Sequence, residues 1–219
     1  MIPLAVTVLN RYDLLRVMLA SIDSGTMRPS RLLVLDNGRS LFDEIRGWDR
    51  FPLWNVTHCS VPGEQDRGVA GSWNEAIRWA NGGPLVICND DVMFGHDTFE
   101  KLVHGVRWGE ADLATTGNVG GFVCFAMTNE IVAKVGTFDE RFFPAYFEDE
   151  DYRYRMKLAG LEPRPIDGCD IQHVESGTLK KMTEEQKSVF KVQFMNNASL
   201  YRQKWGGIVG EETLEVPAL

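Results

Sequence analysis

The stretch PLVICNDD, Pro84 to Asp91, joins a short unbroken apolar run to an abrupt acidic turn. A run this short, rich in β-branched side chains and bounded by turn residues, is read as a strand buried on both faces. Upstream of it, Gly71 to Ala80 carries a helical pattern that Asn81-Gly82-Gly83-Pro84 stops. The same grammar recurs toward the N-terminus. Ile2 to Leu9 (IPLAVTVL) reads as a buried strand, and Tyr12 to Ile22 places Leu14, Leu15, Met18, Leu19 and Ile22 at helical spacing. Arg31 to Leu35 (RLLVL) is a second short strand closed by the turn Asp36-Asn37-Gly38, and Asn55 to Ser60 is a third. Strands alternating with helices predict an α/β fold with a mostly parallel central sheet flanked by helices on both faces. Ligands bind such sheets at the carboxyl ends of the strands, where the acidic turns at Asp36 and at Asp90-Asp91 fall.

Downstream the character changes. Gly117 to Gly121 is glycine-rich, Phe122 to Met127 is apolar, and Asn129 to Val135 is helical. An aromatic loop follows from Gly136, then a helix from Glu148 to Leu158 with Gly160 as its stop. Pro165 to Ile171 reads as one further strand. From Tyr201 onward the chain is polar and glycine-containing, and is expected to form a tail or flap.

Composition sets outer bounds. A chain of 219 residues with 44% hydrophobic and 25% charged residues fits one soluble domain able to bury its own core. The formal charge of −8 supplies no general attraction for a polyanion, which counts against nucleic acid and anionic membrane as main partners. Four cysteines, Cys59, Cys88, Cys124 and Cys169, stand far apart without a CxxC; three sit beside apolar residues and read as reduced core thiols, with zinc or disulfide use as the alternative. Neither a secretory leader nor an apolar run of membrane-spanning length is evident, so a cytoplasmic location is expected.

Three constellations carry chemistry. Asp90 and Asp91 are adjacent carboxylates after a buried strand; they repel unless a cation such as Mg2+ or Mn2+ lies nearby, and a polar turn capping the next helix is the plainer alternative. Glu148-Asp149-Glu150-Asp151 complements a helix dipole, and Asp149 with Arg153 and Asp151 with Arg155 have the spacing of helical ion pairs. That account leaves the preceding aromatic residues (Phe142, Phe143, Pro144, Tyr146, Phe147) unexplained. A carboxylate against such a wall can be tuned into a general base. His173 follows a strand and precedes Glu175-Ser176-Gly177; a lone histidine is more often structural, as His58, His96 and His104 are taken to be.

Read in order, these motifs resemble family 2 glycosyltransferases of the GT-A fold, and among them soluble, rhamnosyltransferase-like members. AVTVLNR resembles the family's first strand and Asn-Arg turn, and VLDNGRS (Val34 to Ser40) its second-strand motif. Asp66 to Asn74 (DRGVAGSWN) resembles the segment near the donor, and LVICNDD the strand that ends in a DxD-type metal motif, with Asn89 where the strict motif has Asp. GTFDERFFPAYFEDEDYRYRMKLAG, from 136 to 160, is the most specific match. His173 with Ser176 resembles the late metal-site histidine, and YRQKWGG from Tyr201 resembles an ending seen in some soluble members.

The resemblance implies an inverting transfer of a sugar from a nucleotide-diphosphate donor to an acceptor hydroxyl, assisted by Mn2+ or Mg2+. It implies donor contacts at Thr7, Asn10, Arg11, Asp36, Arg67, Asn74 and Asp90, with Asp36 meeting the base and Asp90 the ribose. Asp91 and His173 become the metal candidates. Asp149 becomes the general base, with Asp151 and then Glu148 as alternatives. UDP and dTDP donors fit an aspartate facing the base, and GDP stays open. The acceptor is a glycan, protein or small molecule, and a modified nucleobase stays open too. A single domain over residues 1–200 is implied, nucleotide-binding to about 115 and acceptor-binding beyond, with 201–219 as tail. Two other classes compete with this reading. A nucleotidyltransferase needs a glycine-rich phosphate loop after the first strand, and residues 10–13 contain no glycine. A silent carbohydrate- or nucleotide-binding module would be expected to have lost Asp91, Asp149 and Asp151.

Overall fold

The computed structural model describes residues 2–46, 56–60, 67–107, 111–119, 121–173 and 180–218. Asp66 and Ser176, and the side chains of His58 and Cys59, lie outside the described residues. The first half runs β1 (Leu4–Val8), α1 (Tyr12–Asp23), β2 (Leu32–Asp36), α2 (Leu41–Ile45), β3 (Val56–Ser60), α3 (Gly68–Ala80) and β4 (Leu85–Asn89). The second continues through β5 (Val92–Phe94), α4 (Thr98–Arg107), β6 (Leu113–Thr116), β7 (Cys124–Met127), α5 (Asn129–Val135), α6 (Glu148–Leu158), β8 (Arg164–Ile166), β9 (Ile171–His173) and α7 (Glu184–Trp205).

Seven strands form one sheet in the order β3-β2-β1-β4-β7-β6-β8. β1, β2, β3 and β4 pair in parallel, β6 pairs in parallel with β8, and β7 runs antiparallel to both of its neighbours. The mostly parallel α/β architecture expected from the alternating runs is the one observed. Unbroken apolar strands are required here because both faces are covered. Successive side chains point to opposite faces, so Val86 and Cys88 join α1 and α4 in one core while Leu85 and Ile87 join α3, α5 and α6 in the other. A third, smaller cluster of Phe142, Tyr154, Tyr201 and Trp205 fastens the end of α7. Among the described residues, Cys88, Cys124 and Cys169 are buried thiols outside any disulfide, and no helix is long and apolar enough to cross a membrane.

The structure corrects the sequence reading at three places. α3 begins at Gly68, earlier than the apolar pattern suggests. A Cβ on Gly68 (φ +64°) would lie 2.7 Å from the Pro144 carbonyl oxygen, so a glycine is needed where the helix starts. The strand expected over Pro165 to Ile171 is two strands in different sheets. Gly168 at φ +64° turns the chain, and Cys169 N–H closes back on Ile166 O at 3.1 Å. β8 therefore extends the main sheet while β9 pairs with β5, a short strand not anticipated. Finally, the boundary drawn at residue 200 falls inside α7. Tyr201, Lys204 and Trp205 are buried, Gly206 ends the helix at φ +71°, and the last residues fold back, Thr213 N–H and Leu214 N–H both donating to Trp205 O.

Candidate active site

The parallel register aligns the carboxyl ends of the central strands. Thr7 of β1 lies opposite Asn89 of β4, and Val8 opposite Asp36 of β2. Beyond these ends opens a cleft of about 310 Å³, floored by Thr7, Asn89, Asp90 and Asp91. Its far wall comes from the aromatic loop and the first turn of α6, through Tyr146, Glu148 and Asp149.

The acidic turn after β4 leads directly into β5, and β5 carries the solution to a long-range problem. Its antiparallel pairing with β9 sets Val92 opposite His173. Asn118 anchors that ribbon by donating from Nδ2 to Ile171 O (2.6 Å) and accepting from Ile171 N–H (3.0 Å). The result brings His173 Nε2 to 3.2 Å from Asp91 Oδ1, a buried oxygen with no aligned hydrogen-bond donor. Asp90 is 5% exposed and its Oδ2 also lacks a partner. Burial, and then the charge of Asp91, pushes the Asp90 carboxyl up to about 8.

Thr7 Oγ1, Trp73 Nε1 and Glu148 Oε2 are further buried polar atoms without a partner, and all three residues line the same cleft. Each such orphan costs about 1–3 kcal/mol. Folded proteins keep them rare, so their concentration around one cavity marks a surface made to meet a ligand.

The four carboxylates of α6 separate into different environments. Glu148 is buried, and its carboxyl is held well above the usual range first by that burial and then by Asp149. Asp149 is partly exposed; burial raises it, while Glu150 N–H, donating to Oδ1 at 2.9 Å, and the charge of Arg153 work against the rise. Asp151 points the other way, because two residues along a helix are about 200° apart. It is fully buried and receives Arg155 Nε at 2.9 Å, Trp205 Nε1 at 2.9 Å and Lys204 Nζ at 2.5 Å. The sequence reading offers Asp151 as an alternative base; here its carboxylate joins α7 to α6 and is not among the residues lining the cleft. Of the two expected helical ion pairs, Asp151–Arg155 forms; Arg153 lies 3.8 Å from Glu150 instead.

The loop ahead of α6 is held in an unfavourable form. Tyr146 and Phe147 both have φ +74°, a region that costs a residue with a side chain about 1–3 kcal/mol. Val69 N–H holds Pro144 O at 2.8 Å, and Phe190 of α7 stands edge-on to Tyr146, their ring centroids 5.5 Å apart.

Thr7, Asp90, Asp91, Glu148, Asp149 and His173 thus line one cleft. Other expected donor contacts fall elsewhere. Asp36 is fully buried, does not line the cleft, and accepts from Tyr12 OH (2.5 Å), Arg39 N–H (2.8 Å) and Leu41 N–H (3.1 Å), which shape the turn. Its neighbour Asn37 lines the cleft in its place. The amide of Asn74 donates to Phe138 O and Glu140 Oε1 and accepts from Phe138 N–H, which commits it to the start of the aromatic loop. Arg11 is bidentate to Asp13, which Lys181 also reaches while donating to Asn10 O. Arg67 offers its backbone N–H to Asn37 Oδ1 at 3.4 Å. Trp73, Phe190 and Asn197 were missed by sequence reasoning. Trp73 sits inside a helical apolar pattern that explains it as core, and nothing near Phe190 or Asn197 in sequence points to the cleft.

Comparison with known proteins agrees with this geometry. The family model described as glycosyl transferase family 2 matches residues 4–146, more than half of the chain. A galactofuranosyl glycosyltransferase of Leishmania donovani is 38% identical over 55 residues, 25% of this chain and 13% of that protein. Among solved structures, a mannosyltransferase from Pyrobaculum calidifontis, in complex with GDP-Man and Mn2+, superposes with a TM-score of 0.65 at 16% identity. That alignment covers 90% of this chain and 64% of the other. TarS of S. aureus superposes at 0.59 with 12% identity over 90% of this chain and 43% of its own. A shorter form of TarS holding UDP-GlcNAc also gives 0.59, at 11% identity over 88% and 65%. These likenesses establish the GT-A fold, and the matched segment from β1 through the aromatic loop establishes that the chain belongs to glycosyl transferase family 2.

Proposed function

We propose that this chain transfers a sugar, with inversion, from a nucleotide-diphosphate donor to an acceptor hydroxyl, with Asp149 as general base. One observation carries the reading: orphaned polar atoms at the strand ends and the partly exposed Asp149 face each other across a single cleft. The nucleotide is placed over the carboxyl ends of β1 and β2, against Leu9 and Asn37, and the acceptor between the aromatic loop and α7. Residues up to about 115 then form the donor half, and the rest the acceptor half.

A divalent cation fits the residues present. Asp91 Oδ1 and His173 Nε2 converge without forming an aligned hydrogen bond, and an oxygen-nitrogen donor pair suits Mn2+ or Mg2+. No group of three or more His, Cys, Asp or Glu able to hold a metal occurs among the described residues. Asp91 and His173 would therefore hold the ion together with donor phosphate oxygens and water, as hard cations often are held. The ion supplies charge neutralisation for the departing diphosphate.

This chain's own residues do the rest. Asp149 accepts the proton of the acceptor hydroxyl as that oxygen attacks the anomeric carbon opposite the leaving group. Its raised affinity for a proton strengthens it as a base while its partial exposure lets the acceptor reach it. Glu148 keeps its proton to higher pH and suits a hydrogen-bond donor to a sugar hydroxyl. The walls of Trp73, Phe122 and Tyr146 exclude water, which limits hydrolysis of the donor. The family-model match ends at residue 146, before α6, so the roles of Glu148 and Asp149 rest on the motif resemblance and on the geometry of this chain.

The test is nucleoside diphosphate release from a panel of UDP-, dTDP- and GDP-sugars, with Mn2+ and with chelator, alongside thermal shifts. Metal-dependent stabilisation by one nucleotide class and release on adding glycan or small-molecule acceptors are expected. Neither binding nor release from any donor across the panel sinks the reading.

A further inference from the structure

The peptide carbonyls leading into α6 are gripped one after another. Val69 N–H donates to Pro144 O at 2.8 Å, and Asn197 Nδ2 donates to Ala145 O at 3.0 Å and to Tyr146 O at 3.2 Å. The next carbonyl, Phe147 O, accepts Asp151 N–H at 2.9 Å within the opening turn of α6. The grips from α3 and α7 therefore hold the peptides that lead into and join the two residues at φ +74°, and α6 itself holds the carbonyl that follows them. Neither Tyr146 nor Phe147 prefers the left-handed region, and side chains of that size relax out of it unless their surroundings oppose the change. Relaxation would rotate the peptide groups on which the first turn of α6 is built, and with them Glu148 and Asp149.

Asn197 is 3% exposed and does not line the cleft, so a contact with donor or acceptor does not explain it. Its neighbours on α7 explain its placement. Phe190 and Phe194 pack on Tyr146, Phe194 also packs on Phe147, and Tyr201 closes over Phe147 from about two turns further along α7. These rings fix where the loop lies but have no preference for the orientation of its peptide planes. An amide with two N–H bonds aimed at two carbonyls does. A carboxylate of the same shape would turn lone pairs on both oxygens, and alanine would leave them without a donor.

We propose that Asn197 is a positioning residue for the base: it stabilises the left-handed Tyr146–Phe147 pair and so aims Asp149 into the cleft. The proposal rests on the reading of Asp149 given above. It is tested on the full chain by steady-state kinetics of wild type, Asn197→Asp and Asn197→Ala, with the donor and metal identified in the panel. The expected result is a fall in kcat of roughly 10-fold to 100-fold in both variants, the scale for a misplaced reacting group. Donor KM and nucleotide binding should stay within about twofold, since the strand ends are untouched. Circular dichroism and active-site titration with tight-binding nucleotide report the folded fraction. If Asn197→Asp does not fold, Asn197→Ala, which adds no charge, is read in the same way. Wild-type kcat per folded site in the variants overturns this inference alone. Absence of release from wild type overturns the site reading beneath it, and this inference with it.

Discussion

The two sides of the cleft are built in different ways. The donor side consists of strand ends: Thr7, Asn89 and the turn after β4 take their places because backbone ladders set the register of β1 against β2 and β4. The opposite side, proposed for the acceptor, has no such ladder. Its loop and the turn of α6 that carries Asp149 are suspended between side chains from distant elements, with Asn74 holding the loop's start, Asn197 its end, and Lys204 and Trp205 the back of α6. A sheet edge reproduces its geometry from local pattern, whereas a suspended loop depends on each tether. Donor binding and transfer should therefore be separable by mutation.

The widest separation is expected at the base. Asp149→Asn should fold and bind nucleotide sugar as wild type does while kcat falls on the order of 10²–10⁴, the usual worth of positioned proton transfer. Steady-state rates with isothermal titration of the donor check this; full activity moves the base elsewhere. On the opposite side, Asp91→Ala and His173→Ala should abolish the Mn2+-dependent part of the thermal shift and slow transfer by about 10²–10³, as for loss of a group that stabilises developing charge. An unchanged metal response in both would leave the acidic turn a capping element only.

A third variant sharpens the comparison through stability. Asp151→Ala leaves Lys204 and Arg155 without their shared anion, and a broken buried pair costs about 3–5 kcal/mol. Urea unfolding measures it. A cost comparable to that of an exposed pair such as Arg78–Glu75 would show that the clasp on α6 is incidental.

The pH dependence follows from the raised carboxyls. As the proposed base, Asp149 must lose its proton to act, so the acid limb of kcat/KM should lie above the usual aspartate value, with activity rising as pH rises through it. Glu148 contributes to stability with the opposite trend. Its pKa is higher in the folded chain than in the unfolded one, so the folded state binds the extra proton and stability falls as pH rises between the two values. Glu148→Gln removes that titration and should raise stability at neutral pH by about 0.5–2 kcal/mol, the range for relieving a strained functional position. A melting temperature that varies with pH as steeply in the variant as in wild type would falsify the assignment to Glu148. This is the smallest effect, and it tests whether the acceptor side gives up stability for function.

Much of the donor side was legible beforehand. PLVICNDD announces a doubly covered strand and a carboxylate pair through composition alone, and Asp90 and Asp91 follow that strand and line the cleft. What local pattern leaves open has physical causes. Asp36 and Asn37 are adjacent in the turn, and only the fold decides which of the two faces the ligand; here the carboxylate turns inward to Tyr12 and Asn37 lines the cleft. Asp149 and Asp151 are equivalent as letters, yet the helix sends one to the cleft and the other to Lys204. The strand pattern over 165–171 was continuous, but Gly168 split it and delivered β9, with His173, to β5.

The amino-acid sequence by itself determined the alternating strands and helices, the acidic turn at the end of β4 and the acidic start of α6. Each of these depends on residues within one turn or strand of each other, where periodicity and turn chemistry act. Only the tertiary structure decided that His173 meets Asp91, that Asp151 turns to Lys204, that Phe190 lines the cleft and that Asn197 grips the loop behind it. Those pairings are set by sheet register and by helix packing between segments far apart in the chain, and no local pattern encodes the angle at which such segments meet.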